Sequence, residues 1–369
     1  MFRSLCHMAE DFLQNKLEER RVLNSFRSLR TVQGVIDFCS NDYLGLASKL
    51  KPNAVRASEI RHGSSGSRLL SGNYPLIEEA ERIIAAFHDA LSGLLFNSGY
   101  DANIGLLSCV PRRGDTILYD YLSHASIRDG IRLSFAESFS FKHNDLNDLE
   151  EKLKKSQGNK FVVTESVFSM DGDQAPLQDI SMLCQQYGAN LVVDEAHATG
   201  VLGARGEGLV QSLHLESHCF ARIHTFGKAL GCHGAIILGS QTLRNYLINF
   251  SRPFIYSTAL PESCIEILLI SYSLFPGMVN ERQQLRQLIS QFQQAELAHT
   301  KLASNTAVQG IIVPGNNQVR SLASQLQSNS LDVRPILYPT VPKESERLRI
   351  VLHAFNTEYE VNRLIGLLR

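Results

Sequence analysis

The chain has 369 residues, 44% of them hydrophobic and 20% charged, and a formal net charge of −1. That length and apolar content suffice for a large core, while the lack of a lysine or arginine run leaves no field for nucleic acid or an anionic membrane. The seven cysteines (Cys6, Cys39, Cys109, Cys184, Cys219, Cys232, Cys264) are odd in number and never closer than 13 residues, which argues against a disulfide framework or a C-x-x-C metal site and predicts reduced thiols in a cytoplasmic protein.

Met8, Phe12, Leu13 and Leu17 recur at helical spacing among charges and predict an amphipathic N-terminal arm or helix within residues 1–40. Glu10, Asp11, Glu18 and Glu19 stand where an export or transit signal avoids acids. Short β-rich runs then follow at Ser92 to Asn97, Thr116 to Tyr119, Phe161 to Glu165, Leu191 to Asp194, Ile223 to Phe226 and Ala235 to Leu238. Helical patterns at Leu76 to Phe87, Leu146 to Lys155 and Leu177 to Tyr187 lie between them, the alternation that builds a mostly parallel α/β sheet over residues 41–260. From Pro261 the chain turns helical, through Gln283 to Leu302, and ends in strands at Gln309 to Val313, Asp332 to Leu337 and Leu348 to Leu352, a smaller α+β domain over residues 261–369. The apolar stretch Cys264 to Phe275 is broken by Glu266 and is too short for a bilayer core of about 30 Å, so it reads as a buried helix.

The run Ala221 to Gly231 places Lys228 in a glycine-flanked turn after a strand, among buried residue types, and Asp194-Glu195-Ala196-His197 ends another strand 34 residues upstream. An isolated lysine in a loop is ordinarily a solvated surface group, and an isolated D-x-x-H is ordinarily a strand-end cap. The acidic box also suggests an ATPase, but Gly227-Lys228 is followed by Ala229 and no phosphate loop exists. There is likewise no G-x-G-x-x-G fingerprint, H-E-x-x-H zinc motif or G-x-S-x-G nucleophile elbow. In open α/β sheets ligands gather beyond the carboxyl ends of strands, where Asp194, Lys228, Glu165 to Ser169 and Ser98 to Tyr100 all fall. Pyridoxal phosphate requires such a set: a lysine for its aldehyde, a carboxylate for its ring nitrogen and donors for its phosphate.

From about Asn24 onward the chain resembles the α-oxoamine synthases, fold-type-I pyridoxal-phosphate enzymes. The markers are Ser40 to Leu46, Gly63 to Arg68, Leu122 to Ser126, Val167 to Asp173, Asp194 to Gly200 and Thr225 to Lys228, in that order and spacing. The resemblance implies an aspartate-aminotransferase-like α/β fold and a homodimer with shared active sites. By the same resemblance Lys228 is the Schiff-base lysine, Asp194 pairs with the pyridine nitrogen, His197 bonds the ring oxygen, His124 stacks on the ring and Ser169 lies near its hydroxyl. Ser98, Gly99, Tyr100 and Thr225 would receive the phosphate, and Thr258 would reach it across the dimer. Arg27, Asn41, Thr340 and Arg349 match substrate-contacting positions, Arg349 as the clamp for a carboxylate.

The implied reaction condenses an amino acid with an acyl thioester and releases carbon dioxide. Ser169 to Leu177, Phe254 to Pro261 and Thr340 to Pro342 resemble the members that join L-alanine to a pimeloyl thioester in biotin synthesis, with those that acetylate glycine as the alternative. The acyl carrier, coenzyme A or acyl carrier protein, stays open. Between Leu46 and Gly63 the chain is a few residues shorter than the family pattern, in a region that would shape the acyl entrance. A cofactor-free structural subunit of the same fold would be expected to lack the lysine, whereas Lys228, Asp194 and His197 are all present.

Overall fold

The computed structural model describes residues 2–29, 31, 33–51 and 63–369, so most of the shortened segment between Leu46 and Gly63 lies outside the described residues. In chain order the first elements are α1 (Phe2–Val22), β1 (Ile36–Asp37), α2 (Pro75–Phe87), β2 (Ser92–Phe96), α3 (Gly99–Leu107), β3 (Thr116–Asp120), α4 (Ala125–Arg132) and β4 (Glu137–Phe141). Then come α5 (Leu146–Lys155), β5 (Lys160–Glu165), α6 (Leu177–Tyr187), β6 (Ala189–Asp194), α7 (Leu209–Ser212), β7 (Cys219–Thr225), β8 (Ala235–Gly239), α8 (Gln241–Phe250), α9 (Arg252–Ile255), α10 (Glu262–Leu274) and α11 (Val279–Gln294). The last are β9 (Val308–Ile312), α12 (Asn316–Ser328), β10 (Leu331–Asp332), β11 (Arg334–Ile336), β12 (Arg347–Val351) and α13 (Glu358–Leu368).

The chain divides into two compact units, one of Asn41–Arg286 with His353–Phe355, the other of the described part of residues 1–40 with Gln287–Leu352 and Asn356–Arg369. The first unit is built on a seven-stranded sheet in the order β2-β8-β7-β6-β5-β3-β4, in which only β8 runs against its neighbours. Successive side chains of a strand point to opposite faces, and the sheet is apolar on both. Ile117, Phe161, Val163 and Val192 pack on one side with Leu106 of α3 and Ile127 of α4. Leu118, Val162, Leu191 and Val193 pack on the other with Leu149 and Leu153 of α5 and Ile180 of α6. The mostly parallel sheet expected from the alternation is therefore present. The parallel direction gathers the carboxyl ends of β2, β3, β5, β6 and β7 at one edge.

The second unit holds a three-stranded antiparallel sheet, β11-β12-β9, and the short parallel pair β1 and β10. The helix expected over Gln283 to Leu302 ends at Gln294, where the Lys301 ammonium folds back onto the carbonyls of Phe292 and Gln293 at 3.2 and 2.6 Å and caps the last turn. α1 is helical as expected, but Phe12 is 67% exposed. Among the described residues no single helix is long and apolar enough to cross a membrane.

Candidate active site

β6 runs Leu191-Val192-Val193 through the core and delivers Asp194, only 5% exposed, to the carboxyl edge of the sheet. There the Asp194 carboxylate is fixed twice: Oδ1 accepts the Ala196 N–H at 2.9 Å, and Oδ2 accepts from Asn103 Nδ2 at 2.7 Å. Asn103 lies on α3 and is itself buried, and its Nδ2 also donates to Ser126 Oγ at 3.0 Å. Ser126 Oγ meets His124 Nδ1 at 2.8 Å, and the His124 backbone N–H donates to Glu165 Oε1 at 2.6 Å. Glu165 is the register partner of Asp194 on β5, so the two ends of this polar chain lie side by side. From Asp194 to Glu165 each member is hydrogen-bonded to the next, so the buried Asp194 carboxylate is not left unpaired.

The electrostatics follow from this arrangement. Glu165 is pushed up to about 8, first by burial and then by the Asp194 carboxylate, with the His124 N–H and Lys228 pulling the other way. Solvent reaches the His124 side chain, yet desolvation by the surrounding site is the leading cause of its lowered pKa; Asp194 raises it and Lys228 lowers it. Lys228 thus lies within electrostatic reach of both His124 and Glu165.

Lys228 follows β7 in a turn braced from within: the Cys232 N–H bonds the Phe226 carbonyl at 2.8 Å and the Gly231 N–H bonds the Lys228 carbonyl at 2.9 Å. The turn after Asp194 comes directly against it. Gly200, at φ 89°, has no room for a side chain, since a Cβ would stand 2.6 Å from that of Ala229. Thr199 Oγ1 ties the same turn to β7 through His224 Nδ1 at 2.9 Å. His197, 6% exposed, is held at Nδ1 by the Tyr43 hydroxyl at 2.6 Å, and that hydroxyl lies 3.2 Å from Asn41 Oδ1.

α3 begins where β2 ends. Ser98 is its N-cap, its Oγ accepting the Asp101 N–H at 3.0 Å. A Cβ on Gly99 would stand 3.3 Å from Thr225 Oγ1, so glycine keeps the helix N-terminus open beside the Thr225 hydroxyl. Tyr100 is 44% exposed and its hydroxyl bonds Asp129. Thr258 is exposed; its carbonyl accepts from Asn97 Nδ2 at 2.9 Å and it pairs with Ser67. Ser169 is half-buried in the turn after β5.

Of the residues singled out in the sequence, the first unit therefore brings Asp194, His197, His124 and Lys228 to one sheet edge, with Ser98 to Tyr100 at the start of α3, Thr225 at the end of β7, Ser169 in the turn after β5 and Asn41 tied to His197 through the Tyr43 hydroxyl. Arg27, Thr340 and Arg349 belong to the second unit. Arg27 Nη2 donates to Thr340 Oγ1 at 3.2 Å, and Arg349 is half-buried on β12 between Arg334 and Gly310 of the flanking strands. Sequence reasoning passed over Asn103, Ser126 and Tyr43 as individual site residues and took Glu165 only as a strand end. Asn103 carries one usable signal, a polar residue inside a helix otherwise buried through Ala102, Leu106 and Leu107.

The family profile described as aminotransferase class I and II matches residues 33–368. The 8-amino-7-oxononanoate synthase of Emericella nidulans is 43% identical over 361 residues, covering 89% of this chain and 87% of that protein. Its counterpart from Marinobacter nauticus is 37% identical over 368 residues, covering 95% and 93%. Among solved structures, the 8-amino-7-oxononanoate synthase of Francisella tularensis superposes with a TM-score of 0.79 at 29% identity, covering 91% of this chain and 97% of that one. Serine palmitoyltransferase of Sphingomonas wittichii gives a TM-score of 0.85 at 26% identity, covering 100% and 96%.

Proposed function

The chain belongs to the aminotransferase class I and II family, and from that membership we propose that it is a pyridoxal-phosphate-dependent acyltransferase of the 8-amino-7-oxononanoate synthase type. It joins L-alanine to a pimeloyl thioester with loss of carbon dioxide, a step of biotin biosynthesis. The support is the name shared by relatives 43% and 37% identical over most of the chain, together with the hydrogen-bonded chain Asp194, Asn103, Ser126, His124 and Glu165 within electrostatic reach of Lys228. That hydrogen-bonded chain is the observation that carries the cofactor reading. A buried carboxylate locked at both oxygens beside a lysine, within an edge that also offers an open helix N-terminus, fits the donor set this cofactor requires.

When bound, pyridoxal phosphate supplies an aldehyde for amines and a protonated pyridine ring that draws negative charge away from the substrate α-carbon. Asp194 would hold the proton on the ring nitrogen, and its bonds from Asn103 and Ala196 keep the carboxylate from rotating away. His124 would lie against one face of the ring, with its backbone fixed on Glu165. His197, steadied by Tyr43, would donate to the ring oxygen, and Ser169 would lie near it. The Gly99 and Tyr100 amides, the Thr225 hydroxyl and the α3 dipole would bind the phosphate, while Ser98 serves as the cap that shapes the helix start.

Lys228 Nζ would first retain the cofactor and, once a substrate amine has displaced it, take the α-proton as the nearest base. Arg349 would clamp the amino-acid carboxylate with its planar fork, and Arg27, Thr340 and Asn41 would contact substrate. Thr258 would serve the phosphate site of a second copy in a cytoplasmic homodimer, and the acyl group would arrive on coenzyme A or acyl carrier protein.

The test is spectroscopic. The protein with added pyridoxal phosphate should gain the visible band of an aldehyde condensed with a lysine, Lys228→Ala should lack it, and L-alanine should perturb it. A wild-type protein that never gains the band overturns the reading; a response to glycine with none to L-alanine transfers it to a glycine C-acetyltransferase.

A further inference from the structure

The sheet edge that carries the site also carries a polar cluster the reaction leaves unused. Asp120, at the end of β3, is fully buried. Its Oδ1 accepts the Leu122 N–H at 2.8 Å, its Oδ2 the Asn144 N–H at 3.0 Å, and its carbonyl the Ser123 N–H at 3.0 Å. Asp120 therefore shapes the turn that runs into His124. A second turn, after β5, is closed by the Phe168 N–H on the Asp173 carbonyl at 3.0 Å and by pairing of Val167 with Gln174, and it holds Ser169.

His143 stands between the two turns. Its Nδ1 is 2.9 Å from Asp120 Oδ1 and its Nε2 is 2.7 Å from Asp173 Oδ2, with the Phe168 ring edge-on at 4.4 Å. Asn144, held at φ 53°, adds Nδ2 bonds to Asp173 Oδ2 at 2.9 Å and to the Gln174 carbonyl at 3.3 Å. Both ring nitrogens face carboxylates, which only accept, so both must carry protons and the ring is a cation. Burial opposes that charge, but the bonds to Asp120 and then to Asp173 outweigh it and lift His143 to about 9.

We propose that His143 is a positioning residue, an imidazolium strut that ties the turn bearing His124 to the turn bearing Ser169 so that both side chains meet the cofactor ring in register. The tie itself is a property of the protein chain; its purpose rests on the function proposed above. The charged groups facing the strut are Asp120 from β3 and Asp173 from the second turn, and without it two carboxylates would be left to repel across the gap.

Hydrogen–deuterium exchange on the cofactor-free protein tests the tie directly. His143→Asn should speed exchange in residues 121–126 and in residues 168–174 by about tenfold, the factor expected from losing a hydrogen bond to a charged group, while β5 and β6 stay protected. Asp173→Asn keeps the shape and an acceptor but removes one charge. It should leave exchange near wild type at neutral pH and move the alkaline limb of kcat down by about one pH unit, with cofactor affinity unchanged. Exchange that rises in one turn only, or in neither, or an alkaline limb that Asp173→Asn does not move, overturns the proposal. Because exchange is read without cofactor, failure of the tie is distinct from failure of the enzymatic reading, which would show as a wild-type protein that neither binds the cofactor nor turns over.

Discussion

Asn103 offers the sharpest test of how the site is held together. It is 1% exposed, and its Nδ2 makes two bonds, one to the Asp194 carboxylate at 2.7 Å and one to Ser126 at 3.0 Å. A hydrogen bond to a charged group contributes about 1.5–3 kcal/mol and a neutral one about 0.5–1.5 kcal/mol, so Asn103→Ala should lower the unfolding free energy by roughly 2–4.5 kcal/mol before any loss of packing. A double-mutant cycle with Asp194→Ala isolates the first bond. Urea unfolding of the cofactor-free protein, followed by circular dichroism, should give a coupling of about 1.5–3 kcal/mol between the two positions. If the two substitutions add within about 0.3–0.5 kcal/mol, Asn103 does not support Asp194 and the bond between them is geometry without consequence.

Gly99→Ala puts a Cβ 3.3 Å from Thr225 Oγ1, which should weaken pyridoxal phosphate binding by about tenfold or more, some 1.4 kcal/mol, in an equilibrium titration, while the cofactor-free fold is kept. His88 and His224 are fully buried with ring centroids 4.0 Å apart; desolvation lowers His88 to about 3 and His224 well below its usual value. The unfolded chain therefore takes up protons at these groups as pH falls below about 6.5 while the native one does not, and each costs up to about 1.4 kcal/mol per pH unit down to its native pKa. His224→Gln should accordingly flatten the fall in urea midpoint between pH 6.5 and 4, and equal slopes in the two proteins would contradict the assignment. Arg349→Lys should raise the KM for the amino acid by roughly tenfold or more through loss of the planar fork, with cofactor affinity unaltered in the same titration.

How much of this was legible in the sequence depends on whether the signal was local. α5 lies over Leu146–Lys155 as its pattern predicts, because Asp145 caps it and Leu149 and Leu153 recur on one face. β6 and β5 were legible as apolar runs that only a sheet covered on both sides can bury. β4, with Glu137, Ser138 and Phe139 exposed, carried no such run and went unread at the sheet edge. The charged and nucleophilic members of the site stood out as motifs at strand ends. Asn103 and Ser126 did not, because what makes them important is a partner 91 and 23 residues from Asn103 that only packing of α3 and α4 against the sheet brings within reach. The early end of α11 was hidden for the same reason, its cap being the side chain of Lys301 rather than a glycine or proline in the run.

The central claim is that this site condenses L-alanine with a pimeloyl thioester. Mass spectrometry of the products formed by the purified protein with pyridoxal phosphate, L-alanine and pimeloyl-coenzyme A or pimeloyl-acyl carrier protein tests it most directly. 8-Amino-7-oxononanoate should appear with one carbon dioxide per turnover, and neither should form with Lys228→Ala. An α-amino ketone formed only from glycine and a short acyl thioester, or no product from either carrier with a protein that binds the cofactor, would contradict it.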